Sequence, residues 1–285
     1  MNTVRYKKVI VMKNAFEFLL YSYFGITSDS KIDEILTASI KRAYQDASSH
    51  VLSVKEDKAD FNATLKKYNK SEKEYKQNGK INEVLRNIGT QFLHEEIKFL
   101  IESKDDIDYN DFHVHLCNRL IELYKADDEE CEYYKKDKHG NLRKFTYGIA
   151  QKWVNMTMKY LYLLHDLFDC DTIRNDSFIK IDKFICNYKE DFHVPIDSYI
   201  IDAVWENKDI DVIVPGCNKD KHYINGKKKV FKNRPSEHFT RWSKLNDTDY
   251  VNFQKSLCDK LKDKNIIPIE WEGPTWLQVA KSITK

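Results

Sequence analysis

The chain has 285 residues, 41% of them apolar and 32% charged, and its 47 basic and 45 acidic side chains leave a formal net charge of +2. Eight glycines and five prolines are few for this length and argue against a β-sandwich and against long flexible linkers. The near-neutral total neither requires nor excludes a nucleic-acid partner, so the distribution of charge must decide. No apolar run approaches the roughly 18 residues of a membrane span, and the run at 9–12 is too short for a signal peptide. The six cysteines include no close pair, which fits free thiols in a reducing cytoplasm and gives no zinc or iron–sulfur spacing. The nine histidines offer no metal spacing either, and no metal or organic cofactor is expected.

In chain order, the spacing of apolar residues predicts helix nearly everywhere. Residues 14–24 read as a short apolar helix ended by Gly25. Asp29 or Ser30 is expected to cap the next helix, in which Ile32, Ile35, Leu36, Ile40 and Ala43 form one face. Residues 60–76 predict an exposed, Lys-rich helix. Helices follow over about 80–102 and 108–125, the second with Asp111 near its cap. The acidic stretch 127–137 and the basic loop 138–144 mark the expected boundary between two helical subdomains, 1–126 and 127–285, flanking a cleft.

Residues 147–164, "YGIAQKWVNMTMKYLYLL", come next. At 100° per residue an arc of roughly 260° is apolar, so the helix must be packed on most sides. Gln151, Lys152, Asn155, Lys159 and Tyr162 share the remaining polar stripe, which is expected to face solvent or a cleft. Lys152 lies near the helix N-terminus, where the dipole disfavours a cation and helps to lower an amine pKa. A helix is expected around 178–188. In "FHVPIDSYIIDAVW", Pro195 discourages helix before it, and Asp197 is placed to cap the helix that follows. Residues 212–244 form a loop-rich basic insertion, with short strands expected at 212–214 and 229–231. A capped helix near 247–261 and a terminal helix with Pro274 in its first turn complete an all-α chain.

The insertion concentrates charge. Nine Lys/Arg between Lys219 and Lys244, among them Lys227, Lys228, Lys229 and Arg234, face only Asp220 and Glu237. Tyr223, Phe231, Phe239 and Trp242 are interleaved, the composition of a phosphate-contacting surface with stacking groups. Lys144 and its neighbours add a second basic cluster.

"GIAQKWVN" followed by "HVPIDSYI" resembles the helix-hairpin-helix DNA glycosylase superfamily over residues 145–202. That family's pattern is a hairpin Gly-apolar-Gly, a lysine in the next helix, then Pro-Val-Asp opening another helix. The resemblance places Gly148, Ile149 and Ala150 at the hairpin, their N–H groups binding a DNA phosphate. It gives Lys152 the role of attacking the sugar C1′ and Asp197 that of assisting proton transfer and stabilising sugar cation. It implies a DNA glycosylase with abasic-site lyase activity, acting as a monomer on double-stranded DNA with an extruded base. Gln151, Asn155, Trp153 and Trp242 become lining residues for that base, with Trp271 and Trp276 as further walls. The sequence departs from the pattern at Ala150, at residues 145–147, in the 45 residues between Lys152 and Asp197, and in lacking the cysteine cluster of one branch. Two other readings stand beside it: a non-catalytic helical nucleic-acid- or protein-binding module in which the pair is structural, and another enzyme of the same build.

Overall fold

The structure, a computed structural model, describes residues 14–48, 52, 81–124, 145–168 and 175–283. The helix expected at 60–76, the acidic stretch 127–137, Lys144 and the boundary expected at 127–144 lie outside the described residues. The fold is all-α. Among the described residues the helices are α1 (14–24), α2 (Ile32–Ser48), α3 (Ile81–Glu102), α4 (Tyr109–Leu123), α5 (Tyr147–Phe168), α6 (Asp176–Tyr188), α7 (Ser198–Glu206), the short α8 (Lys219–His222), α9 (Asp247–Lys262) and α10 (Pro268–Ile283). No described helix is long and apolar enough to cross a membrane.

α5 is the central element. It packs against α2, α4, α6 and α9 and against a 3-10 turn at Trp242–Lys244, which explains why apolar residues occupy most of its circumference. Trp153 is fully buried and donates its indole N–H to the Ile40 carbonyl in α2 at 3.0 Å. Gly89 in α3 makes room for this crossing: a Cβ there would lie 2.6 Å from the Trp153 ring and 2.2 Å from the Tyr124 hydroxyl. A continuous apolar cluster runs from Leu20 through α2–α7 to Ile269, so residues before and after the expected boundary share one core.

Several local expectations are corrected. Neither Asp29 nor Ser30 caps α2. The Ser30 hydroxyl accepts the Thr27 N–H, while Glu34 reaches back to the Lys31 N–H, the returning half of a capping box. Asp111 lies near the cap of α4 as expected, in the first turn, and its N–H donates to the capping Asp108 side chain at 2.9 Å. The strands expected at 212–214 and 229–231 are replaced by one antiparallel hairpin, Tyr223–Ile224 with Lys227–Lys228. Its turn is Asn225-Gly226, both at positive φ (50° and 74°), the pairing that matches strand twist. α10 begins at Pro268, not near Pro274. Pro268 takes the first-turn position, and Pro274 sits inside the helix, where it cannot donate a hydrogen bond.

Candidate active site

The site begins with a non-helical loop before α7. Residues 193–196 lie outside any helix or strand and lead to the extended Asp197 at the start of α7, and Pro195 contributes no N–H. The side-chain amide of Gln151 holds this segment from both sides, donating to the Ile196 carbonyl at 3.2 Å and accepting the Ile196 N–H at 3.4 Å. The next residue is Asp197. It caps α7 as expected, with Oδ1 accepting the Ile200 N–H at 3.0 Å. Its other oxygen, Oδ2, accepts from the Lys152 ammonium at 2.9 Å and from the Trp276 indole N–H at 3.0 Å. Each residue of the Lys152–Asp197 pair is only 8% exposed.

Two tryptophans flank the pair. Trp276 comes from α10, and the Trp242 ring lies 4.9 Å from the Lys152 ammonium, within cation–π range. The turn carrying Trp242 is seated on the N-terminus of α5. The Gly148 N–H donates to the Leu245 carbonyl at 3.0 Å, and Thr146 donates its hydroxyl to the Ser243 carbonyl at 2.7 Å. A Cβ on Gly148 would come within 1.9 Å of the Trp242 carbonyl, so glycine is required for this close approach.

Two helical turns further along α5, Lys159 pairs with Glu272 of α10 at 2.5 Å. Glu272 is 1% exposed. Burial pushes its carboxyl up and Lys159 pulls it back down; Asp197 adds to the rise and Lys152 opposes it. The two ion pairs therefore sense each other's charge between α5, α7 and α10. Glu270, two residues before Glu272, accepts from the Tyr162 hydroxyl at 3.0 Å.

The rest of the polar stripe faces neither solvent nor a cleft. Asn155 donates to Gln151 Oε1 at 2.9 Å and to the Tyr250 hydroxyl at 2.8 Å, and its own oxygen accepts from His113 Nε2 at 2.7 Å. The Tyr250 hydroxyl donates to His193 Nδ1 at 2.9 Å, and His193 Nε2 donates to Asn110 Oδ1 at 2.8 Å. Gln254 donates to the Val194 carbonyl at 2.6 Å. With His193 neutral and carrying its proton on Nε2, the Tyr250 and His193 protons both have acceptors. Burial pushes His113 down to about 4, with the Asn155 hydrogen bond opposing; burial and then the charge of His113 push His193 well below its ordinary value.

The structure thus sorts the expected site residues. Lys152 and Asp197 meet, and Trp242 and Trp276 stand beside them. Gln151 and Asn155 do not line an open pocket, because their amides are consumed in the buried network; they position the Asp197 segment instead. Trp153 is a core residue, its indole spent on α2. The N–H groups expected to bind phosphate are also spent: that of Gly148 on Leu245, those of Ile149 and Ala150 on the Thr146 carbonyl.

In the insertion, Lys228 turns inward to the Val204 and Ile210 carbonyls at 3.1 and 3.3 Å, where burial lowers its pKa. Arg234 is held by the buried Asp202, through Nε at 2.7 Å, and lies over Tyr199. Lys227 and Lys229 are exposed, as are Lys219, Lys221, Lys232, Arg241 and Lys244. Of the interleaved aromatics, Tyr223, Phe231 and Phe239 pack around Trp205 and hold the insertion down from beneath. The pairing of Lys159 with Glu272 lies beyond the expected site residues; its signal in the sequence is the seven-residue repeat from Lys152 to Lys159.

Compared with protein-family models, curated proteins and solved structures, the chain matches none.

Proposed function

We propose that the protein is a DNA glycosylase with abasic-site lyase activity, in which Lys152 is the nucleophile and Asp197 its proton acceptor. The observation that carries this reading is the 2.9 Å contact between Lys152 and Asp197, made by residues 45 apart in the chain. The carboxylate is aimed by its capping bond to Ile200 and by the grip of Gln151 on residue 196. Asp197 takes a proton from the Lys152 ammonium, and the free amine attacks C1′ of an extruded nucleotide as the glycosidic bond breaks and the base leaves. Opening of the sugar ring gives an imine, and β-elimination then cleaves the strand. The exposed lysines of the insertion supply the phosphate contacts, in place of the occupied N–H groups at 148–150. Entry of a base requires Trp276 to release Asp197.

A second reading is favoured by those occupied N–H groups and by the low exposure of the pair: a helical nucleic-acid- or protein-binding module with Lys152–Asp197 as a structural bridge. Incision assays on duplexes bearing abasic sites and a panel of damaged or modified bases separate the two. The enzyme reading expects strand cleavage that falls at least about 100-fold in Lys152→Gln and in Asp197→Asn. No cleavage across the panel, or cleavage indifferent to Lys152, leaves the binding module as the reading that stands.

A further inference from the structure

We propose a metal site, separate from the Lys152–Asp197 pair, in which His165, Asp182 and Cys186 bind one divalent transition-metal ion of the zinc class. His165 is in the last turn of α5; Asp182 and Cys186 are four residues apart on α6, on one helical face. Their donor atoms, one from each residue, all lie within 4.8 Å of one another. His165 Nε2 is already 2.9 Å from Asp182 Oδ1, while its other ring nitrogen is 3.3 Å from Asp166 Oδ1. A carboxylate on the far ring nitrogen is the arrangement that orients a metal-binding imidazole.

The donor chemistry narrows the ion. One imidazole nitrogen, one carboxylate oxygen and one thiolate sulfur suit zinc and its tetrahedral relatives and do not suit calcium or magnesium, which take oxygen ligands. Ligand atoms around tetrahedral zinc are separated by about 3.3–3.7 Å, given metal–ligand bonds of about 2.0–2.3 Å. Closing the site therefore widens the His165–Asp182 contact by about 0.5 Å and draws the Cys186 sulfur in by at most about 1 Å. Cys186 is exposed and free to make that movement. Three protein ligands leave the fourth position to water, and the thiol proton passes to solvent on binding. With one ligand on α5 and two on α6, the ion ties the two helices together.

The test uses the full-length protein, stripped of metal and kept reduced, titrated with Co2+ and then Zn2+. A thiolate-to-cobalt charge-transfer band is expected, saturating at one equivalent and bleached by Zn2+. Cys186→Ser should lose the charge-transfer band, and His165→Gln should weaken Co2+ binding at least about 10-fold. Zn2+ should raise the Tm of the wild type and not that of His165→Gln. Circular dichroism confirms that each variant is folded, and Asp182→Asn provides a third, milder probe. Absence of a one-equivalent band in the wild type overturns the proposal, as does a band that survives in folded Cys186→Ser.

Discussion

Removing the Asp197 charge perturbs three contacts at once, and the structure ranks the consequences. Asp197→Asn keeps an oxygen to accept the Ile200 N–H but leaves the Lys152 ammonium without a counter-charge; the two side chains are 10% and 11% exposed. Breaking a buried pair from one side costs about 3–5 kcal/mol. Residual water contact and the Trp242 ring, 4.9 Å from the ammonium, bring the expectation to about 3 kcal/mol. Lys152→Met is asymmetric with it. The remaining carboxylate still accepts from Ile200 and Trp276 and sits at a helix N-terminus, so its loss should be about 1–2 kcal/mol. The double variant should cost no more than Asp197→Asn alone, giving a coupling energy of at least about 1–2 kcal/mol. Urea denaturation with unchanged m-values measures all four corners of the cycle. A coupling energy near zero, or a Lys152→Met loss exceeding that of Asp197→Asn, refutes the account of a tight, water-poor pair.

Other outcomes follow from the same geometry. Gly148→Ala drives a Cβ to within 1.9 Å of the Trp242 carbonyl and should unseat the 242–244 turn at a cost of about 2–3 kcal/mol, read as a lowered urea midpoint; a neutral result contradicts that close approach. Both buried histidines have folded pKa values below the unfolded 6.5, so the unfolded chain binds protons first as pH falls. Their contribution is complete above pH about 6.5 and is lost as pH falls below it, for His113 toward about 4, at up to about 1.4 kcal/mol per pH unit for each histidine. Stability that is flat between pH 7 and about 5 would show that neither is held neutral. Charge reversal at the exposed Lys227, Lys229 and Lys232 should weaken DNA binding and flatten its salt dependence without unfolding the protein. Lys228→Met and Arg234→Met should act instead on stability, since both side chains are engaged internally; equal effects of both sets on DNA binding alone would be incompatible with this division.

The helices were readable because apolar spacing is local information. The near-complete apolar circumference of α5 required neighbours on most sides, and α2, α4, α6 and α9 supply them. The Asp197 cap was readable for the same reason: an acid after a proline and before an apolar helical run acts within four residues. The fate of the polar stripe was not readable. Gln151 and Asn155 look solvated on a helical wheel, and only folding brings His113, His193, Tyr250 and the 194–196 backbone to meet them. The insertion misled in a similar way. Its lysines and aromatics alternate in sequence, but Trp205 draws the aromatics inward while many of the lysines remain outside. The hairpin at Asn225-Gly226 carried a short-range signal, the Asn-Gly pair itself, that fell outside the strands assigned. The His165, Asp182 and Cys186 donors are hidden from any spacing rule because one lies on a different helix.

The central claim is that Lys152 is a nucleophile toward the sugar of an abasic or base-damaged nucleotide. Borohydride reduction in the presence of abasic-site duplex DNA, followed by digestion and mass spectrometry of the cross-linked peptide, tests it most directly. The account predicts one dominant adduct, on Lys152, absent in Lys152→Gln and strongly reduced in Asp197→Asn. No adduct, or an adduct on an insertion lysine that is undiminished in Lys152→Gln, contradicts it.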